Sequence, residues 1–114
     1  MRAHNRVRET CSTTGTGNLS CDGAVTGYKA FVDRYANGEE FPYTCAGGAE
    51  WETGRGRYKS STDEVERLEC YESSASDAFV NFTVASKFLW VDHPAEDDNS
   101  TGETLAIARG EFMP

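Results

Sequence analysis

Short strand-like segments separated by turn residues are the feature that most constrains the fold of this chain. Residues 7–25 show it first, because threonine-rich and β-branched runs flank a turn at 14–18 that contains two glycines. Such side chains suit the pleated surface of a sheet, and glycine supplies the positive φ angles that tight hairpins require. The segment therefore predicts an opening β-hairpin, and nothing in it indicates catalysis.

The same alternation of strand and turn continues to residue 92. The predicted strands are 6–13, 18–21, 41–45, 50–53, 65–71, 78–84 and 87–92. Glycine, asparagine and serine clusters separate them, and the glycines at 54 and 56 are interpreted as one of these turns. Short strands at this spacing predict a mainly β fold, a small antiparallel β-sandwich or barrel.

Aromatic residues mark the expected core and one exception to the strand pattern. Trp51 and Trp90 are predicted to anchor the core. The run 88–91 is apolar on both faces, which predicts a central strand covered on both sides, with another subunit as one candidate cover. Segment 27–36 is predicted to be a short helix or an irregular crossing. Its apolar residues recur at helical spacing: Tyr28, Phe31, Val32 and Tyr35.

The length of 114 residues fits one domain. We expect a basic N-terminal arm at 1–8, a single β domain at 9–95, and an acidic linker with a C-terminal arm at 96–114. The last segment regains apolar residues too late to build a second core: Leu105, Ile107 and Phe112. Two interpretations remain open, an arm that binds a neighbour and a tail that folds back on its own domain.

The net charge of −8 argues against nucleic acid and against an anionic membrane as partners. Charge is also uneven, since three arginines lie in the first eight residues while carboxylates crowd the middle and the end. A basic arm could dock on the acidic body of the next copy, although solvated surface charge explains most of these residues equally well. The candidate partner contacts are Arg2, Arg6, Arg8, Arg55 and Arg57, together with the three apolar tail residues.

Four cysteines occur in a chain whose start lacks the apolar segment of a secretory signal, so we expect synthesis in the cytosol. Their spacing fits neither a zinc ribbon nor a CxxC redox pair. Pairing of Cys11 with Cys21 and of Cys45 with Cys70 is the favoured arrangement. Free cysteines that act as small core residues are an equal alternative, and bridges between molecules are a third.

No group of residues indicates an active site. The two histidines, His4 and His93, fall into no Ser-His-Asp or Cys-His arrangement. The acidic run after residue 92 lacks the glycine and the ligand spacing of an EF-hand. We therefore predict no catalytic residue, no metal site, no cofactor and no enzymatic activity.

A set of segments points to one family. They occur in unbroken order between residues 6 and 96: RVRET, STTGTG, GAVTGY, EWETGRGRY, ESS, VNF and KFLWVDHPAE. In these segments the chain resembles the small β-rich virion structural proteins of tailed bacteriophages. The four cysteines stand where that family usually has threonine or aliphatic residues, and Arg55 and Arg57 replace apolar or small polar ones. The departures imply added cross-links and a contact with an acidic neighbour.

The resemblance implies a non-enzymatic component of the virion, made in the bacterial cytoplasm. Such a protein would be an accessory linker or decoration that docks at repeated sites, on the neck, collar, tail or fibre, or as capsid cement. Its partners would be other virion proteins and copies of itself. The alternative is a receptor- or carbohydrate-binding module of a phage fibre.

Overall fold

Six antiparallel strands form a single sheet in the computed structural model, which describes residues 2–92. They are β1 (Arg8–Cys11), β2 (Leu19–Ser20), β3 (Glu40–Gly47), β4 (Glu50–Lys59), β5 (Glu64–Ser73) and β6 (Lys87–Val91). Their order across the sheet is β1-β6-β3-β4-β5-β2. The predicted mainly β, antiparallel class is confirmed. None of the helices in the described part of the chain is both long and apolar enough to span a membrane.

The sheet nearly closes into a barrel because residues 19–25 bridge its two edges. The Cys21 amide donates to the Asp63 carbonyl beyond the end of β2 (3.1 Å). One residue later the pairing changes sides: Asp22 N donates to Thr10 O (2.9 Å), and Thr10 N donates to Gly23 O (3.0 Å). One short segment thus pairs first with the β5 edge and then with β1, which links the two edges of the sheet.

The interior follows the two-residue period of the strands. Along β3, Phe41, Tyr43 and Cys45 all point inward and are fully buried, and Leu89 of β6 meets them from the next strand. Polar side chains enter the same interior from β1, β4, β5 and β6: Glu9, Glu52, Arg67 and Lys87. The barrel is therefore filled by a mixture of aromatic rings and fully buried charges.

The predicted turn at residues 54–57 is wrong, because these residues lie in the middle of the ten-residue strand β4. A Cβ on Gly54 would stand 1.9 Å from the Glu69 carbonyl oxygen, and one on Gly56 would stand 2.6 Å from a Val65 methyl. Register shifts in the β4–β5 pairing occur beside both glycines. They are glycines because the backbone of β5 and the interior approach too closely for any side chain.

Two further predictions about the core are wrong. Residues 78–84 do not form a regular strand; their one backbone pairing within the described residues joins Phe82 to Gly15. Trp51 and Trp90 are not core anchors, because Trp51 is 39% exposed and Trp90 is half-buried. The covered face of β6 is the Leu89 side alone, since Phe88 is 42% exposed.

The crossing at 27–36 contains one turn of 3-10 helix, Phe31–Asp33. Phe31 and Tyr35 cap one end of the core, with ring centroids 5.1 and 4.4 Å from that of Phe41. Val32, expected on the same helical face, is 58% exposed. A single 3-10 turn is too short to carry the predicted four-residue apolar face.

The N-terminal segment lies against the barrel and does not extend from it as an arm. Arg2 N donates to Glu40 O (3.0 Å), Val7 is buried, and Arg8 is the first residue of β1. The predicted boundary at residue 8 therefore falls within a strand. The predicted C-terminal arm at 96–114 lies outside the described residues.

Candidate docking surface

The outer surface of β1, β6, β3 and β4 carries two aligned rows of side chains. Inward-pointing Leu89 forces its neighbours Phe88 and Trp90 outward, as the alternation of a strand requires. Strand register places Phe88, Ala46 and Trp51 side by side on three consecutive strands. Arg8 lies opposite Trp90 on β1. The smallest of these side chains, Ala46, thus lies between two exposed aromatic rings.

Two arginines cover the aromatic rings at one side of this surface. The Arg8 guanidinium lies 4.7 Å from the Trp90 ring centroid and 4.9 Å from that of Phe88. The Arg6 guanidinium lies 4.1 Å from the Tyr28 ring and donates to the Gly27 carbonyl oxygen (2.9 Å). We call the set Arg6, Arg8, Tyr28, Trp51, Phe88 and Trp90 the aromatic face. Stacking on rings holds each guanidinium in place while its N–H groups stay available.

Arg8 differs from the other arginines of the sheet because it has no carboxylate partner among residues 2–92. A guanidinium offers five N–H donors in a fixed fork that matches carboxylate geometry. The chain as a whole is acidic, so two arginines that stack on aromatic rings and have no carboxylate partner among residues 2–92 are a local exception to its charge. The aromatic face can therefore bind an acidic group and apolar surface together.

The other predicted contact residues are already engaged within the chain. Arg55 pairs with Glu40 (2.7 Å) and Glu69 (3.3 Å), and Arg57 pairs with Glu66 (3.3 Å). Arg2 is exposed and tied through its backbone to Glu40. The remaining candidates, Leu105, Ile107 and Phe112, lie outside the described residues. Of the predicted contacts in the described residues, Arg6 and Arg8 are the ones that stack on aromatic rings of this face.

A buried ion pair lies on the opposite, inner side of the sheet. The Arg67 guanidinium donates to Glu52 Oε1 (2.9 Å), with side chains 3% and 0% exposed. The Tyr43 hydroxyl donates to the other Glu52 oxygen, and the Val80 amide donates to Oε1 (2.8 Å). Burial and the adjacent Glu52 charge raise the pKa of Tyr43. Because every polar atom of the pair is partnered, we interpret it as a support of the interior rather than a reactive site.

Arg67 and Lys87 also tie loops to the barrel. Arg67 donates to the carbonyl oxygens of Gly15 and Gly17 (both 2.9 Å). Lys87 is 2% exposed and donates from Nζ to the carbonyl oxygens of Thr13 and Val84. The opening turn is therefore held by two buried cations. The sequence carries no signal for this, since the partners lie up to 74 residues apart.

One cluster could hold a metal ion, although no metal site is predicted from the sequence. Ligand atoms of Glu9, Cys21 and Asp63 lie within 4.8 Å of one another, with only Asp63 exposed. Both Glu9 oxygens already accept backbone N–H bonds, from Gly23 (2.9 Å) and Phe31 (2.7 Å). Burial raises the pKa of the Glu9 carboxyl and of the Cys21 thiol. The two backbone bonds give Glu9 a structural role that needs no ion.

The predicted disulfides are wrong for this structure. All four cysteines are free and no pair is at disulfide distance. Cys11, Cys21 and Cys45 are buried, as in the alternative of small core residues, whereas Cys70 is half-buried. The Cys11 and Cys45 thiols interact in the interior, which lowers the pKa of Cys11 to about 6 and raises that of Cys45. The predicted opening hairpin would place Cys11 opposite Cys21, but β1 and β2 lie at opposite edges of the sheet and Cys21 pairs with the turn before β5.

Comparison of the chain with protein-family models, curated proteins and solved structures found no match.

Proposed function

We propose that this protein is a non-enzymatic accessory component of a tailed bacteriophage virion that docks through its aromatic face. The observation that carries the docking role is Arg8, which has no carboxylate partner among residues 2–92 and lies over two outward-facing rings. The resemblance of residues 6–96 to virion structural proteins supports the phage context. Together they suggest a linking or decoration protein at repeated sites of the neck, collar, tail, fibre attachment or capsid.

The mechanism is burial of the aromatic face against an acidic patch of another virion protein or of another copy. Tryptophan and arginine contribute disproportionately to interface energies, particularly where surrounding residues exclude water. A site of roughly 800 Å² per partner is sufficient for a stable complex. Repetition around a ring or shell raises the effective concentration, so that weak individual contacts hold the protein on the particle.

The proposal is tested by loading of matched variants onto particles. Phe88 on the aromatic face and Phe79 in the loop before β6 are exposed to similar extents, 42% and 37%. We expect Phe88→Ala to reduce the copy number in purified particles and Phe79→Ala to leave it unchanged, as measured by quantitative mass spectrometry. Equal loading of the two variants, or absence of the protein from particles, would contradict the proposal.

Carbohydrate binding is the second candidate, and the exposure of Trp51 favours it. An exposed indole on the outer surface of β4 offers a platform for the apolar face of a sugar ring. A glycan array separates the two functions. Binding of a defined glycan that is lost in Trp51→Ala and kept in Phe79→Ala would establish the receptor-binding role instead.

A further inference from the structure

We infer that the aromatic face is covered, in the isolated protein, by the C-terminal segment of the same chain, residues 96–114. The inference concerns the site of the proposed function and rests on it in one respect, that this face is a docking surface. It adds to the proposed function by naming the segment that occupies the aromatic face when no partner is bound. The occupant would have to leave before another virion protein could bind.

The position at which the chain leaves the described structure supports the inference. Strand β6 ends at Val91, one residue after Trp90. Asp92 is then held beside the face, because its amide donates to Pro42 O (3.1 Å) and its carboxylate accepts from Thr44 Oγ1 (2.8 Å). Thr44 is the residue paired with Trp90 in the sheet. The chain therefore leaves the described structure at the edge of the aromatic face.

The chemistry of the C-terminal segment complements that of the aromatic face. The face combines two arginines that lack carboxylate partners among residues 2–92 with exposed aromatic rings. The C-terminal segment combines carboxylates with apolar side chains in the order of the sequence: Glu96, Asp97, Asp98 and Glu103, then Leu105, Ile107 and Phe112. Carboxylates suit the guanidinium fork, and the apolar residues suit the rings. The aromatic face therefore favours a segment that is both acidic and apolar.

The C-terminal segment is long enough to reach the aromatic face, and its tether gives it a high effective concentration there. The stretch from Asp92 to Leu105 spans up to roughly 43 Å when extended, which exceeds the longest dimension of the structure, 41 Å. A segment tethered this close has an effective concentration on the order of 1 mM. A dissociation constant of about 0.1 mM is therefore sufficient to cover the face in about nine molecules of ten.

Both tryptophans of the chain lie on the aromatic face, so tryptophan fluorescence reports on this face alone. We compare the full chain with the tail variant Leu105→Ser/Ile107→Ser/Phe112→Ser. If the segment covers the face, the tail variant has red-shifted emission and stronger acrylamide quenching. The matched control is Ala106→Ser/Ala108→Ser, which changes neighbouring small residues and should leave emission and quenching as in the parent.

Two additions complete the experiment. A synthetic peptide of residues 96–114 added to the tail variant should restore protection from acrylamide, with a dissociation constant of about 0.1 mM or below. Arg8→Gln in the full chain should increase quenching in the same direction as the tail variant. Protection should not change with protein concentration, because the occupant belongs to the same molecule.

Identical quenching of the parent and the tail variant would overturn the inference. Protection that appears only at high protein concentration would overturn it as well, because the occupant would then be a second copy. These readouts need no phage particle. A failure here leaves the Phe88→Ala loading experiment intact, and a failure of loading leaves the fluorescence result intact.

Discussion

The interior between β4 and β5 and the aromatic face over β6 contain the same kinds of residue, but these residues have different roles in the two regions. Each region brings an arginine close to aromatic rings. Arg67 in the interior also has a carboxylate and three carbonyl oxygens as partners, whereas Arg8 on the aromatic face has rings alone among the described residues. An arginine whose guanidinium nitrogens all have acceptors stabilises a fold, and one whose donors remain available suits recognition.

The largest expected effect comes from breaking the interior pair. Arg67→Met leaves the Glu52 charge buried without its cation, and should lower the free energy of unfolding by about 3–5 kcal/mol. Urea denaturation followed by circular dichroism measures it. The matched control is Arg57→Met, whose half-exposed pair with Glu66 should contribute no more than about 0.5 kcal/mol.

A double variant sharpens this result. Glu52→Leu in the Arg67→Met background removes the remaining buried charge and should recover part of the lost stability. A double variant that is less stable than Arg67→Met by a further several kcal/mol would mean that the pair is not the source of the first loss.

The second effect tests how tightly the interior is packed. Gly54→Ala places a methyl 1.9 Å from the Glu69 carbonyl oxygen, so the backbone of β5 must move. We expect a loss of about 3 kcal/mol in thermal or urea unfolding, the upper end of overpacking effects. Gly17→Ala is the control, because a Cβ there meets nothing within 4 Å and no positive φ is required. Equal losses would show that the alanine methyl is not the cause.

The third effect concerns Tyr35, a buried residue of the crossing that donates to the Arg2 carbonyl oxygen (2.7 Å). Burial raises the pKa of this phenol from 10.0 to about 12. The folded protein therefore keeps a proton that the unfolded chain releases, so stability falls as pH rises from 10 to 12. The loss is at most roughly 2.7 kcal/mol.

Tyr35→Phe isolates this contribution. The variant should be less stable than the parent at pH 8 by about 1 kcal/mol, because the hydrogen bond is lost. The difference should shrink between pH 10 and 12, as followed by urea denaturation. A difference that stays constant over that range would contradict the assigned pKa direction.

The smallest effect on stability is expected on the aromatic face. Arg8→Ala removes stacking on exposed rings and should change the free energy of unfolding by about 0.5 kcal/mol. If Arg8 serves docking and Arg67 serves the fold, the Arg8→Ala variant remains folded but no longer binds to the particle. A loss comparable to that of Arg67→Met would assign Arg8 to the fold instead.

Strand and turn composition was sufficient to predict an antiparallel β fold and most of its strands, since that pattern is local. It was not sufficient to predict which side of a strand faces inward. For Trp51 and Glu52, hydrophobicity favoured the tryptophan as the inner residue. The structure places Glu52 inside because Arg67 and Tyr43 meet it there, and these partners are distant in sequence.

The same limit applies to the glycines and to the candidate site. Gly54 and Gly56 resemble a turn in sequence, although they mark a close approach between two strands. Arg6 and Arg8 were singled out as part of a basic arm. The stacking of Arg8 depends on its register with Trp90 of β6, and that of Arg6 depends on Tyr28 of the crossing. No local sequence pattern contains either contact.

The position of β6 between β1 and β3 has a consequence for synthesis. Until residue 91 has left the ribosome, β1 lacks the strand that joins it to β3, so a nascent chain carries two open strand edges, on β1 and on β3. Such edges recruit other chains. Translation that pauses before this strand would therefore favour aggregation, and rapid completion of residues 74–91 would protect the yield of folded protein.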